Sequence, residues 1–302
     1  MRSNQPACLL VVLACMATLG PARAQGISLD PKPLPPLGAA GPGTPAKELF
    51  ARKTKGASLE ARSIGSYARG CLAGARALPV EGKTWGAMRV SRNRNWGHPK
   101  LISFLETFSA KVPEINGWPG ILVGDIAQPR GGPMIASHNS HQIGLDADVW
   151  LTPMPNRKLT RQDSEELVAT NLLRQDRLDV DPSVYSQAHM KIVRAVALEP
   201  EVARVFVNPA IKKAFCRDAG QDRAWLSKVR PILGHNYHFH IRMACPAGDD
   251  CRDQSPPPPG DGCGELGGWF TQANLFPPPG APGPPLMLAQ LPAECRKVLV
   301  AP

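Results

Sequence analysis

The chain has 302 residues, with 35 lysines and arginines against 25 acids and a formal net charge of +10. That length suffices to bury a sizeable core, as one large domain or two small ones. No segment beyond the N-terminus is apolar for long enough to anchor the chain in a bilayer, and no basic run with interleaved aromatics points to nucleic acid.

The first residues read MRSNQPACLLVVLACMATLGPARAQ. Arg2 precedes an apolar run from Ala7 to Leu19, and Ala22-Arg23-Ala24 supplies a small-x-small pattern before Gln25. This predicts a secretory signal peptide over residues 1–24, because the apolar run is shorter than the roughly 20 residues a spanning helix needs. Val12-Leu13-Ala14-Cys15 offers a lipoprotein-like alternative that would cut the run short. Loss of Arg2 and Arg23 lowers the formal charge from +10 to +8. A basic exported protein is drawn to polyanions such as anionic cell-wall polymers.

Residues 25–45 are rich in Pro and Gly and predict an extended leader, with a globular domain over 46–302. Within the domain, Leu101, Ile102, Leu105 and Phe108 have the spacing of an amphipathic helix over Pro99–Val112. Gly120–Ile126 is a short apolar run that suits a strand. Asp181-Pro182 reads as an N-cap with Pro at the first helical position, opening a helix to about Leu198. Arg204–Val207 reads as a strand, Asn208-Pro209 opens a short helix toward Cys216, and Asn236–Met243 alternates as a strand. Proline clusters in SPPPPG and FPPPGAPGPP make the C-terminal region irregular or polyproline-like. No repeat is visible, and strands and helices mix without regular alternation, so the predicted class is α+β.

Six cysteines follow the signal: Cys71, Cys216, Cys245, Cys251, Cys263 and Cys295. An even number in an exported chain suggests three disulfides, and spacing alone leaves their connectivity open. A thiolate zinc site is excluded by the absence of any C-x2–4-C pair.

Two segments concentrate histidine: SHNSHQIGLDAD, with His138 and His141, and GHNYHFH, with His235, His238 and His240. On a strand, positions i and i+2 face one side, so His238 and His240 share a site about 6–7 Å apart, given a rise of roughly 3.3 Å per residue. Asp146 and Asp148 repeat the pattern. His141 precedes Asp148 across Gly144, which permits a turn that lets a loop histidine and a strand aspartate converge. Adding one strand histidine gives a His2Asp set with an open fourth position, the form of a catalytic zinc site, and leaves the other strand histidine as a base. His189 falls on the apolar face of its predicted helix and is assigned to the core. His98 lies in a loop with an open role. Arg130, in QPRGGP, is a candidate for a substrate carboxylate or the developing oxyanion. No H-E-x-x-H, S-x-x-K or G-x-x-x-x-G-K-[ST] motif occurs.

QPRGGPMIASHNSHQIGLDADVW and GHNYHFHIRMACP closely resemble the penicillin-insensitive murein endopeptidases, with support from RNRNWGHP and VFVNPAIKKAFC. That family lies in a zinc-peptidase superfamily with lysostaphin-type enzymes, D-Ala-D-Ala dipeptidases and the hedgehog signalling domain. The resemblance spans about residues 46–295. It implies a disulfide-stapled antiparallel sheet with flanking helices, and one zinc ion per chain held by His141, Asp148 and His240. It implies His238 as general base, with His138 and His235 matching further histidines of the family's motif that would act near the metal or on substrate. Arg130 and His235 are the further catalytic candidates, and Asp146, from its place on the strand, stands with His138 near the metal or the substrate. It also implies the bridges Cys71–Cys295, Cys216–Cys263 and Cys245–Cys251. The substrate implied is periplasmic peptidoglycan, cut at D-alanyl–meso-diaminopimelyl cross-links. Two other readings fit the same cluster: a non-catalytic, zinc-containing wall-binding protein, and a metal phosphodiesterase, for which Asp146 is the spare carboxylate in these segments.

Overall fold

The computed structural model describes residue 34 and residues 43–136, 138–278 and 283–302. The signal peptide and nearly all of the leader lie outside the described residues. Among those described, no helix is long and apolar enough to cross a membrane.

The class is α+β. A six-stranded sheet runs in the spatial order Trp85–Ala87, Ile121–Val123, Asp146–Trp150, His238–Met243, Val202–Val207, Val229–Pro231. Its centre is antiparallel, and each outermost pair is parallel. Strand Asp146–Trp150 pairs with His238–Met243 so that Asp148 lies opposite His240, Asp146 opposite Arg242 and Trp150 opposite His238. The period of two then sorts the side chains. Ala147, Val149, Phe239 and Ile241 join the main core, while Asp146, Asp148, His238, His240 and Arg242 share the opposite face.

The core side is covered by two helices, and their apolar stripes account for the fit. Helix Pro99–Asn116 contributes Leu101, Ile102, Leu105, Phe108 and Val112, and helix Gln187–Leu198 contributes Ile192, Val193 and Val196. The first begins as the sequence predicts, with Pro99 in the first turn and His98 Nδ1 accepting from Lys100 N at 3.1 Å. It runs one turn past Val112 despite Pro113, and stops where Gly117 adopts φ 80°. Asn208 caps helix Pro209–Asp218 through its Oδ1, which accepts from Ala210 N.

Two boundaries differ from expectation. The apolar run 120–126 pairs only over Ile121–Val123, because buried Asp125 binds Arg94 and Ile126 N turns to Arg94 O. Asp181 does not cap a helix: its Oδ1 accepts from Ser183 N and Oγ, closing a turn that competes with helix initiation. The helix starts after Ser186, whose N donates to His189 Nδ1. His189 is buried and stands edge-on to Trp118, with ring centroids 5.2 Å apart.

A second core lies around a small sheet of Arg62–Ser66, Arg69–Ala73 and Asp250–Cys251, against which helix Glu294–Val300 packs. Three disulfides staple the molecule: Cys71–Cys295, Cys216–Cys263 and Cys245–Cys251, with Cα separations of 5.7, 5.9 and 5.8 Å. One proline-rich insertion is tied down at Asp261. Fully buried Lys212 donates through Nζ to the carbonyls of Leu226 and Asp261, and burial lowers that amine to about 7.

Candidate metal centre

The polar face of the central strand pair meets the loop 138–144, and there the histidines gather. His141 adopts φ 65°, a left-handed conformation unusual outside glycine. Asp146 holds it there, its Oδ2 accepting from His141 N at 2.9 Å. The reversal is completed at Gly144, φ 71°, where a Cβ would stand 2.4 Å from Leu72 Cδ2 and 2.9 Å from His98 N. Loop and strand therefore converge as the sequence spacing suggests.

Asp148 is the centre of the cluster. Its Oδ1 lies 3.4 Å from His141 Nε2, 3.4 Å from His240 Nδ1 and 3.6 Å from His238 Nε2. His138 Nε2 is 3.8 Å from Asp148 Oδ2. The candidate ligand atoms of His138, His141 and Asp148 lie within 4.8 Å of one another, and so do those of Asp148, His235 and His238. His235 packs against His238 with ring centroids 4.5 Å apart.

Four buried polar atoms in this cluster have no hydrogen-bond partner: His141 Nε2, Asp148 Oδ1, His238 Nδ1 and His240 Nε2. Orphaned groups of this kind are costly unless something else satisfies them. A tetrahedral zinc with ligands at about 2.0–2.2 Å separates two ligand atoms by roughly 3.3–3.6 Å. The distances from Asp148 Oδ1 to His141 Nε2, His240 Nδ1 and His238 Nε2 all fall in that span. The residues thus fit a divalent cation.

The surroundings distinguish the histidines. A ligating imidazole normally donates its other N–H to a carbonyl or carboxylate. His141 Nδ1 donates to Ile126 O at 2.6 Å. His240 Nε2 lies 2.9 Å from Asp146 Oδ1, close but off the axis of an ideal N–H bond. His238 Nδ1 has no such acceptor. The outer nitrogens of His141 and His240 thus face an oxygen within 3 Å, whereas that of His238 does not.

Charge is balanced tightly. Burial works against ionised Asp146, but the Arg242 guanidinium and His240 hold its carboxyl far below the usual range. Arg242 grips it twice, Nε to Oδ1 at 2.7 Å and Nη2 to Oδ2 at 3.1 Å, and lies over the Tyr67 ring at 4.1 Å. Asp125 behaves likewise: His138 donates to it at 2.9 Å and Arg94 at 2.8 Å, and its carboxyl is also held low against burial. Burial pushes His238 down to about 3 and His240 down to about 4, so both are neutral at ordinary pH. Burial also opposes a charged His141, but Asp148 and Asp146 outweigh it and raise the ring to about 9 in the metal-free chain.

Arg130 is not at this centre. Its guanidinium donates to the carbonyls of Val298, Leu299 and Ala301 through Nη1, and to Lys55 O through Nε. It fastens the end of helix Glu294–Val300, as cations at helix C-termini commonly do. The expectation that it holds a substrate carboxylate or an oxyanion is corrected by that placement. His98 also lies outside the centre, its Nε2 being 3.5 Å from Asp249 Oδ2. Sequence reading missed Asp125, Arg94 and Arg242. The signals were present: an acid interrupting the apolar run 120–126, and an arginine two residues beyond His240 on the same strand face.

Residues 63–300 match the family model described as penicillin-insensitive murein endopeptidase. Proteins of that name from Haemophilus influenzae and Klebsiella pneumoniae are each 42% identical to the chain. The first is matched over 248 residues, 80% of this chain and 84% of its own length. The second is matched over 243 residues, 79% of this chain and 86% of its own length. A protein of the same name from Yersinia enterocolitica is 41% identical over 240 residues, 79% of this chain and 85% of its own length. A match that long, covering both histidine segments and the cysteines from Cys71 to Cys295, has one meaning: the chain belongs to the penicillin-insensitive murein endopeptidase family.

Proposed function

We propose that the chain is a zinc endopeptidase of the periplasm that hydrolyses the peptide cross-links of peptidoglycan, at the D-alanyl–meso-diaminopimelyl bond. The observation that carries the chemistry is the buried pair His141 Nε2 and Asp148 Oδ1, both without a hydrogen-bond partner and 3.4 Å apart, with His240 Nδ1 also 3.4 Å from that oxygen, a spacing that suits ligands of one tetrahedral ion. His141, Asp148 and His240 would hold the ion, and two imidazoles with one carboxylate suit zinc among the common divalent metals. Bound there, zinc supplies Lewis acidity, polarising a carbonyl and lowering the pKa of water.

The chain's own residues do the rest. His238, neutral and 3.6 Å from Asp148 Oδ1, takes a proton from the attacking water. Water adds to the scissile carbonyl, the C–N bond breaks, and His238 returns the proton to the departing amine. His235, packed on His238 and kept neutral chiefly by burial, is placed to donate to the developing oxyanion. His138 is held by Asp125 at the opposite edge of the cluster. Asp146 orients His141 and His240. A hydrolysis of this kind forms no acyl-enzyme, so a β-lactam has no serine to acylate. Export agrees with the small-x-small site after the N-terminal apolar run and with three disulfides, which persist outside the cytoplasm.

The test is digestion of purified muropeptide dimers with and without chelator, followed by mass analysis and metal content. His240→Ala is expected to lose both metal and activity. His238→Ala is expected to retain zinc and lose at least about 100-fold in turnover, the usual scale for a general base. Equal zinc loss in both variants overturns the division of roles. Zinc retention without cleavage by the wild type favours a wall-binding protein.

A further inference from the structure

Tyr237 stands directly before the strand that carries His238 and His240, and the metal chemistry makes no use of it. It is 40% exposed, one of nine large apolar side chains that stand open among the described residues. Its ring lies against His238, centroids 4.6 Å apart and planes at 57°. His238 itself is nearly buried, so this contact joins an exposed ring to a buried one.

The backbone on both sides of Tyr237 is fixed. Its carbonyl accepts from Leu151 N at 2.9 Å, and Asn236 O accepts from Leu172 N at 2.9 Å. The Asn236 side chain donates to Asn171 Oδ1 at 2.7 Å. The phenol hydroxyl, in contrast, has no hydrogen-bond partner among the described residues. A rigid base carrying an unsatisfied donor beside a reactive centre is what a substrate contact requires. Burial of its inner side and the carboxylates of Asp148 and Asp125 raise the phenol, against the pull of Arg92 and Arg89. The hydroxyl therefore stays protonated over the working range and acts as a donor.

We propose that Tyr237 is a substrate-binding residue beside the metal centre, its hydroxyl donating to a carbonyl or carboxylate of the bound cross-link peptide while its ring packs against His238. The inference rests on the endopeptidase reading for the identity of the peptide, but not for the presence of the contact. A neutral donor suits both acceptor types, since peptidoglycan stems carry amide carbonyls and free carboxylates together.

Tyr237→Phe removes the hydroxyl and keeps the ring. It is expected to raise KM for a muropeptide dimer about 5- to 10-fold, the worth of one hydrogen bond, with kcat and zinc content unchanged. Tyr237→Ala removes the ring packed on His238 as well, and is expected to lower kcat in addition. The same comparison is made without turnover, by calorimetric titration of the dimer into chelated wild type and Tyr237→Phe. Weaker binding by Tyr237→Phe in that titration upholds the contact even if the wild type proves unable to cleave, in which case the endopeptidase reading falls alone. Equal KM and equal binding for wild type and Tyr237→Phe overturn the proposal. A wild type that neither binds nor cleaves the dimer overturns both.

Discussion

Asp148 and Asp146 stand two residues apart on one strand face and do different work. Asp148 turns its Oδ1 toward three imidazoles and has no hydrogen bond there, whereas Asp146 is saturated by Arg242, His141 N and the edge of His240. The first is thus suited to a cation and the second to orienting the groups that hold it. Removing an orienting carboxylate of this kind commonly weakens metal binding 10- to 100-fold. Asp146→Asn keeps the shape but loses the charge opposite Arg242. We expect zinc affinity, read by competition with a chromophoric chelator, to fall by about that factor while the fold survives. Unchanged affinity would mean that His141 and His240 are positioned by packing alone.

Among the elements, helix Glu294–Val300 shows how a distant piece of chain supports the centre without joining it. Its end is held by Arg130, and Cys295 ties it to Cys71 on the strand Arg69–Ala73. The carbonyl of Arg130 in turn accepts from Leu72 N at 3.0 Å. Arg130→Met leaves several buried carbonyls without a donor, which costs about 1–3 kcal/mol each for groups that water cannot reach. The expected result is a lower thermal midpoint with near-normal metal content and kcat. A large fall in kcat at full stability would instead return Arg130 to the chemistry. The bridge itself closes a span of 224 residues, and cross-links over such lengths contribute about 2–5 kcal/mol by restricting the unfolded chain.

For the molecule as a whole, buried ionisable groups set the pH range of stability. His238 and His240 are buried neutral, with values lowered to about 3 and 4. The unfolded chain binds their protons near pH 6.5, so stability falls as pH drops below about 6.5 and continues to fall toward 3. Asp125 and Asp146 have folded values depressed below the unfolded one; their contribution is present above about pH 4 and is lost as pH falls further. His141 runs the other way in the metal-free chain: its contribution is complete below about 6.5 and lost as pH rises through about 9. Chelated protein is therefore expected to have its highest melting temperature near neutrality, declining on both sides. Zinc should raise the midpoint most above pH 7, where protons compete least for the ligands. A melting temperature independent of pH between 4 and 7 would contradict the burial of those two histidines.

Local pattern carried much of this. The period-two placement of Asp146, Asp148, His238 and His240 reads directly from the chain, because a strand allows only two faces and one of them must be apolar. The helix openings at Pro99 and Pro209 were legible for the same local reason: proline presets the first turn, and a polar side chain satisfies the free N–H groups. What sequence could not specify was pairing at a distance. Nothing local says that Asp125 meets His138 and Arg94, or that Asp181 closes a turn rather than opening a helix. Nor does any local signal show that Arg130, between proline and two glycines and close to the histidine motif in sequence, reaches the far terminus. Such contacts depend on which buried charges and carbonyls the packed chain brings together, and only the folded arrangement determines which donor is near enough to satisfy each of them.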